Sequence, residues 1–149
     1  MSINKYSGGI IMINVLIGPK GTGKTKVFID IVNKALDTEK GNVVCVTKGD
    51  RHTFDISSKV RMVKTDDFNI KTKEEFYGFI GGMISQNYDI THIFIDSVTK
   101  ITDITVSEFD ALIPSLEKLA ADFNVDFTIS ISAPKEEAGA NIGKYLVNI

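Results

Sequence analysis

The chain has 149 residues, of which 43% are apolar and 24% charged, and its formal net charge is −2 at pH 7. That length predicts a single domain with a sizeable core. The small net charge, with acidic and basic residues mixed along the chain, argues against a surface built for nucleic acid or an anionic membrane. The single cysteine, Cys45, excludes a disulfide framework or a cysteine metal cluster. Its apolar neighbours predict that it packs in the core.

The beginning of the chain is predicted to lie outside the folded core. Residues 1–10 are expected to form a flexible extension, mobile over Met1–Gly8, and residues 11–149 to form one domain. The apolar stretch 9–18 is short and leads into a glycine-rich run instead of a cleavage site, so it does not resemble a secretion signal. No segment reaches the roughly 18 apolar residues that cross a bilayer. We therefore expect a cytoplasmic protein with no membrane partner.

The first predicted strand, residues 11–17, runs into the most informative segment of the chain. Residues 18–25, GPKGTGKT, fit the phosphate-binding pattern G-x-x-x-x-G-K-[ST]. Behind them, apolar residues recur at helical spacing from Val27 to Ala35. In a strand–turn–helix unit of this kind, backbone N–H groups and the helix N-terminus face a bound anion. The residues expected to bind the phosphates of a nucleoside triphosphate are Gly18, Pro19, Lys20, Gly21, Thr22, Gly23, Lys24, Thr25 and Lys26. Lys24 is expected to reach the β- and γ-phosphates, and the Thr25 hydroxyl to hold Mg²⁺.

Further apolar segments predict the rest of a sheet. The predicted strands are residues 42–47, 60–64, 91–96 and 126–132, with 144–149 as a possible last strand. The segment 60–64 is short and alternates only in part, which favours an edge strand. Residues 48–58 carry no regular pattern and are predicted to form a loop.

Helices are predicted between these strands. Thr72 and Glu75 form a capping box at the start of one helix, and Ser107 and Asp110 form a similar start for another. Pro114 falls within the first two turns of the second helix and is expected to kink it or to shift its start. Strands alternating with helices imply right-handed crossovers and a parallel sheet covered on both faces. The predicted fold class is α/β, a three-layer αβα sandwich with a mainly parallel five-stranded sheet.

One carboxylate is placed to complete a metal site. Asp96 follows the strand residues 93–95, and an aspartate at the end of a buried strand beside a phosphate loop commonly binds Mg²⁺. Asp96 is therefore expected to hold the metal with Thr25, and the alternative is an ordinary capping or loop aspartate. His52 and His92 have no third ligand at metal-site spacing, so no histidine metal site is predicted.

Residues 18–25 together with residues 93–101, IFIDSVTKI, resemble the P-loop NTPase superfamily, and within it the branch similar to the RecA and KaiC ATPases. The resemblance spans roughly residues 11–132. It implies an ATP-binding sheet with a strand order like 5-1-4-3-2. It also implies that an inserted strand separates the strand of Asp96 from the strand before the loop. The choice of ATP over other nucleotides rests on this resemblance alone.

The chain departs from that branch in the residue that would activate water. Members usually carry a glutamate after the metal-binding aspartate or after the second strand, whereas here Ser97 follows Asp96. Asp50 is the nearest carboxylate for a catalytic role, with a turn aspartate as the alternative interpretation. Hydroxyls of Ser97, Ser130 or Ser132 could instead place the water. A missing base can cost about a hundred- to ten-thousand-fold in rate, so slow hydrolysis is expected.

The scarcity of arginine is a second departure. Only Arg51 and Arg61 occur among 17 basic residues, whereas enzymes that transfer phosphoryl groups commonly use arginine to neutralise charge in the transition state. This argues against a small-molecule or nucleotide kinase. We expect an ATP-binding protein with weak Mg²⁺-dependent ATPase activity, completed by a protein partner or by homo-oligomerisation. The alternative is a binding module in which nucleotide orders residues 48–58 without hydrolysis.

Overall fold

The described part of the chain, in a computed structural model, comprises residues 13–50, 52 and 55–147. The expectations for residues 1–10 and for Met1–Gly8 lie outside the described residues, as does Arg51.

The described chain alternates between strands and helices. The strands are β1 (Ile13–Gly18), β2 (Asn42–Thr47), β3 (Arg61–Lys64), β4 (Ile90–Ile95) and β5 (Asp126–Ser132). The helices are α1 (Lys24–Thr38), α2 (Lys73–Gln86), α3 (Val98–Ile101), α4 (Val106–Phe123) and α5 (Ala140–Gly143). Two short 3-10 turns occupy Thr65–Asp67 and Lys135–Glu137.

The five strands form one parallel sheet, which confirms the predicted fold class. The strand order in chain numbering is β1-β5-β4-β2-β3, which does not confirm the implied order 5-1-4-3-2. The inserted strand is present, because β5 lies between β1 and β4, and β3 is an edge strand as predicted. β5 can occupy the interior of the sheet because residues 127–131 are all buried.

β1 lies at the edge of the sheet, and its outer side contacts the C-terminal segment of the described chain. Val15 N–H donates to the Tyr145 carbonyl at 2.9 Å, and Val147 N–H donates to the Val15 carbonyl at 3.0 Å. This pairing amounts to one isolated bridge between Val15 and Leu146. The predicted last strand over 144–149 is therefore reduced to a single bridge, and residues 148 and 149 lie outside the described residues.

Helices cover both faces of the sheet, which gives three layers. On one face α1 contributes Phe28, whose ring meets Phe94 of β4 edge-to-face with a centroid distance of 5.8 Å. Cys45 is fully buried in this layer, as predicted. On the other face, α2 and α4 pack their apolar sides against the sheet, with Phe76, Ile80, Phe109, Ile113 and Leu116 fully buried. These two layers hold the strands in place, so that the sheet is a rigid base for the loops at its ends.

The capping box at Thr72 and Glu75 is confirmed. The box predicted at Ser107 and Asp110 is wrong, because Thr105 caps the helix with Glu108 as its partner, and Ser107 lies inside α4. Thr105 can do this because its extended backbone directs its hydroxyl at the Glu108 N–H, 3.1 Å away.

Pro114 lies inside α4 and does not mark its start. A proline cannot donate to the carbonyl four residues earlier, here that of Asp110. Asn141 supplies the missing donor, because its Nδ2 donates to the Asp110 carbonyl at 3.1 Å. A contact from a distant segment therefore allows the proline within the helix.

Candidate functional site

The turn between β1 and α1 has the backbone shape that its glycines predict. Gly21 and Gly23 have φ values of 90° and 81°, in the left-handed region that side chains disfavour. The Thr22 hydroxyl donates to the Pro19 carbonyl at 2.9 Å and closes the turn. Gly23 has no side chain to cap α1, a helix of 15 residues. The first N–H groups of α1 and its positive dipole end are therefore available to an anion.

Lys24, the first residue of α1, is only 5% exposed although it carries a cationic side chain. Its Nζ donates to the Ser132 Oγ, at the end of β5, across 3.2 Å. A buried ammonium is costly unless it is paired. Lys24 is thus a positive charge held at the carboxyl end of the sheet, directly after the glycine turn.

Asp96 follows β4 at the same edge of the sheet and is 2% exposed. Its Oδ1 accepts from the Ser130 Oγ at 3.2 Å, and its Oδ2 lies 3.0 Å from the His52 Nε2. Ser130 in turn accepts from the Ser97 N–H at 2.8 Å. Ser97 adopts φ 53° and ψ 64°, a left-handed conformation that is unfavourable for serine and is found preferentially at functional sites. The carboxylate is therefore held by neighbours on two other segments of the chain.

A pocket of about 650 Å³ opens where these segments meet. Most of the residues that line it are polar or charged, and the four lysines, Lys20, Lys24, Lys26 and Lys100, outnumber the two carboxylates, Asp30 and Asp55. Ser97 and Ser132 also line the pocket. A pocket with this charge at a helix N-terminus is suited to a ligand with several negative charges.

The predicted phosphate-binding residues divide between two neighbouring pockets. Those lining the 650 Å³ pocket are Lys20, Gly21, Gly23, Lys24, Thr25 and Lys26. Those lining a second pocket of about 290 Å³ are Gly18, Pro19 and Thr22, opposite Pro134 and Lys135. The glycine-rich turn therefore forms the ridge between the two pockets.

Asp50, the candidate catalytic carboxylate, is not among the residues that line the pocket. The Asp50 side chain is 77% exposed and pairs with Lys64 of the edge strand β3. This contact raises the pKa of Lys64, mainly through the hydrogen bond to Asp50. Of the three serines considered for placing water, Ser97 and Ser132 line the pocket and Ser130 is bonded to Asp96.

Two residues at the site were not predicted from the sequence. His52 lies in the predicted loop, with φ 63°, yet its ring contacts Asp96, 44 residues further along the chain. Lys100 lines the pocket from α3, a helix that was not predicted. Their position along the chain could have indicated them, because both residues follow strands whose carboxyl ends lie at the same edge of the sheet.

Comparisons with known proteins add no family. A scan against protein-family models and a search of curated proteins found no match to this chain. Within the described residues, the helices are too short or too polar to cross a membrane.

Proposed function

We propose that the chain is a cytoplasmic ATP-binding P-loop protein, similar to the RecA and KaiC branch, with weak Mg²⁺-dependent ATPase activity. The observation that carries this proposal is the convergence at one edge of the sheet. The uncapped N-terminus of α1 and the buried Lys24 line the pocket, and the buried Asp96 directly precedes Ser97, which also lines it. A triphosphate and its metal require these three components together.

Each component would have a distinct task. The N–H groups after Gly23 and the Lys24 ammonium would bind the β- and γ-phosphates. The Thr25 hydroxyl and the Asp96 carboxylate are oxygen donors of the kind that Mg²⁺ prefers, so they would hold the ion. Bound there, Mg²⁺ would neutralise charge on the phosphates. Lys100 at the rim would add a further positive charge where the transition state gains negative charge.

Slow turnover follows from the position of the candidate base. Asp50 pairs with Lys64 on the solvent side of β3, so orienting a water molecule at the γ-phosphate would require it to leave that contact. The serine hydroxyls at the site are weak bases. Completion of the site by a second copy or another protein would then raise the rate.

The test compares Lys24→Ala with Lys34→Ala, a control that removes an exposed lysine from the same helix. Removing one member of a buried charged contact costs about 2–5 kcal/mol, so ATP affinity should fall at least about thirtyfold. Calorimetry measures the affinity, and phosphate release over a range of protein concentration measures turnover. Unchanged ATP affinity in Lys24→Ala would contradict the proposal.

One observation favours a second candidate, a nucleotide-responsive binding module. The contact between His52 and Asp96 joins residues 48–58 to the carboxylate that would hold the metal. A ligand that engages Asp96 would therefore change the conformation of this segment without hydrolysis. Trypsin can cleave after Lys48, Arg51 and Lys59. A non-hydrolysable ATP analogue should alter the cleavage rate at these sites, and an unchanged rate would exclude this candidate.

A further inference from the structure

A second group of polar side chains lies at the amino-terminal ends of the strands, opposite the pocket. Glu39 ends α1, His92 lies in β4, and Asp126 is the first residue of β5. The side chains of His92 and Glu39 are only 2% and 3% exposed. Asp126 is half-buried beside them. The cluster is thus separated from the pocket at Lys24 by the length of the strands.

The three side chains present their donor atoms to one another. The His92 Nδ1 lies 3.4 Å from the Glu39 Oε2. One donor atom from each of Glu39, His92 and Asp126 lies within 4.8 Å of the others. The parallel register pairs His92 with Asp126, which places both side chains on the same face of the sheet. Backbone pairing therefore brings together a nitrogen and two carboxylates from three separate elements.

The other nitrogen of His92 is engaged outside this group. Its Nε2 lies 2.8 Å from the Thr128 Oγ1, and its ring stacks on Phe94 with a centroid distance of 4.1 Å. Histidines that bind metals almost always have the second ring nitrogen held by an outer partner, which fixes the ring and its tautomer. With Nε2–H donating to Thr128, the lone pair of Nδ1 faces the carboxylates.

A buried amide on the next strand gives an independent indication of a ligand on this face. Asn14 of β1 pairs in register with Thr128 and is 8% exposed. Within the described residues, its Nδ2 has no hydrogen-bond partner. A buried donor without an acceptor costs about 1–3 kcal/mol. Asn14 lies on the same face of the sheet as Thr128, the partner of His92, so an acceptor atom bound on this face would satisfy the amide.

We propose that Glu39, His92 and Asp126 form a site for a divalent transition-metal ion, for which Zn²⁺ is the natural probe. Imidazole nitrogen and carboxylate oxygen are ordinary ligands of Zn²⁺, and a three-ligand site leaves one position for water. Bond lengths of about 2.0–2.2 Å place tetrahedral ligands about 3.4 Å apart, so no pair of donors would need to approach by more than about 1.4 Å. The ion would place a positive charge between the buried Glu39 carboxylate and the half-buried Asp126 carboxylate.

The role of such a site would be structural. α1 begins at Lys24, β4 leads to Ser97, and β5 ends at Ser132, so each element that supplies a ligand also leads to a residue of the pocket. The ion would tie the far ends of these three elements together. This role holds whether or not the pocket binds ATP.

The experiment titrates Zn²⁺ into the metal-free full chain without nucleotide and follows the heat of binding and the melting temperature. We expect one ion per chain and a higher melting temperature with Zn²⁺. Asp126→Asn keeps the shape of a half-buried side chain and should fold but lose the binding. Thr128→Val, which removes the partner of Nε2, should weaken binding about 10- to 100-fold. Asp122→Asn, at a carboxylate of α4 paired with Lys118, should leave it unchanged.

Two further measurements make the assignment specific. Co²⁺ in place of Zn²⁺ should give visible absorption bands that disappear in Asp126→Asn, and Lys24→Ala should keep full Zn²⁺ binding because its site is at the other edge. Absence of binding by the natural chain would overturn the proposal and leave His92 and Glu39 as a buried polar contact. Equal binding by the natural chain and by Asp126→Asn, folded by circular dichroism, would also overturn it.

Discussion

The contact between His52 and Asp96 restrains the candidate metal-binding carboxylate before any ligand binds. The His52 Nε2 lies 3.0 Å from the Asp96 Oδ2, and both side chains are largely buried. We expect an ion that binds to Oδ2 to compete with the imidazole for this oxygen. Replacing His52 by alanine therefore removes both a stabilising contact and a competitor for the ion.

The size of both effects follows from this one hydrogen bond. A hydrogen bond to a charged group contributes about 1.5–3 kcal/mol to the free energy of unfolding. For a domain of this length, 1 kcal/mol shifts the melting temperature by about 2–4 °C, so His52→Ala should melt about 3–12 °C lower without ligand. Because each 1.4 kcal/mol is a factor of ten, the affinity for Mg²⁺ in the presence of ATP should rise about 10- to 150-fold.

Thermal melting with and without Mg²⁺ and ATP measures both quantities on the same samples. Lys64→Met is the matched control, because it breaks the exposed ion pair with Asp50 near the same segment and leaves Asp96 untouched. The control should change stability by less than about 1 kcal/mol and leave the Mg²⁺ affinity unchanged. Weaker or equal Mg²⁺ binding by His52→Ala would refute the reasoning and indicate that His52 supports the bound ligand.

Two further predictions concern the scaffold. Burial and the nearby charge of Asp96 raise the pKa of the Cys45 thiol. A thiol reagent at pH 8 should therefore label the native chain more than about 100-fold slower than the denatured chain. Rapid labelling of the native chain would contradict the buried position. Hydrogen bonds from the backbone N–H groups of Thr72 and Thr105 lower the pKa of Glu75 and Glu108, respectively. Their contribution to stability is present above about pH 4.5 and is lost as the pH falls through the lowered values. The double variant Glu75→Gln, Glu108→Gln keeps both capping boxes and should show a shallower loss of urea resistance from pH 5 to pH 3; parallel curves would refute this.

Local sequence patterns predicted most strands and helices of the fold. The features that they did not predict depend on contacts between residues distant in sequence. Parallel strands buried on both faces appear as continuous apolar runs, so the strand at 42–47 was placed from sequence with its observed bounds. The order of the strands has no such signal, because every apolar run can pair with every other. α5 was also missed, since its first turn is held by Asp110 of α4, whose Oδ1 accepts from the Ile142 N–H at 2.8 Å.

The same distinction applies to the two sites. The glycine turn before Lys24 is encoded in eight consecutive residues, and the sequence therefore predicts its shape. The contact of His52 with Asp96 depends on a loop conformation that no local pattern fixes. His92 was assigned no metal role because ligand spacing detects residues close in sequence. Its neighbours in space, Glu39 and Asp126, come from other elements.

The interior strand β5 connects these observations. A buried parallel strand is ordinarily apolar on both sides, yet residues 126–132 alternate, with hydroxyl side chains on the face towards α1. Thr128 and Ser130 are buried and Ser132 is half-buried, and each hydroxyl bonds to a charged or titratable neighbour or its adjoining backbone. Thr128 contacts His92, Ser130 contacts Asp96 and the Ser97 N–H, and Ser132 contacts Lys24. Polar residues in so buried a strand are costly unless they are partnered. Alternating polar and apolar residues ordinarily indicate a strand with one face in solvent. In β5 the polar residues instead form a line of contacts from the group of Glu39, His92 and Asp126 to the pocket.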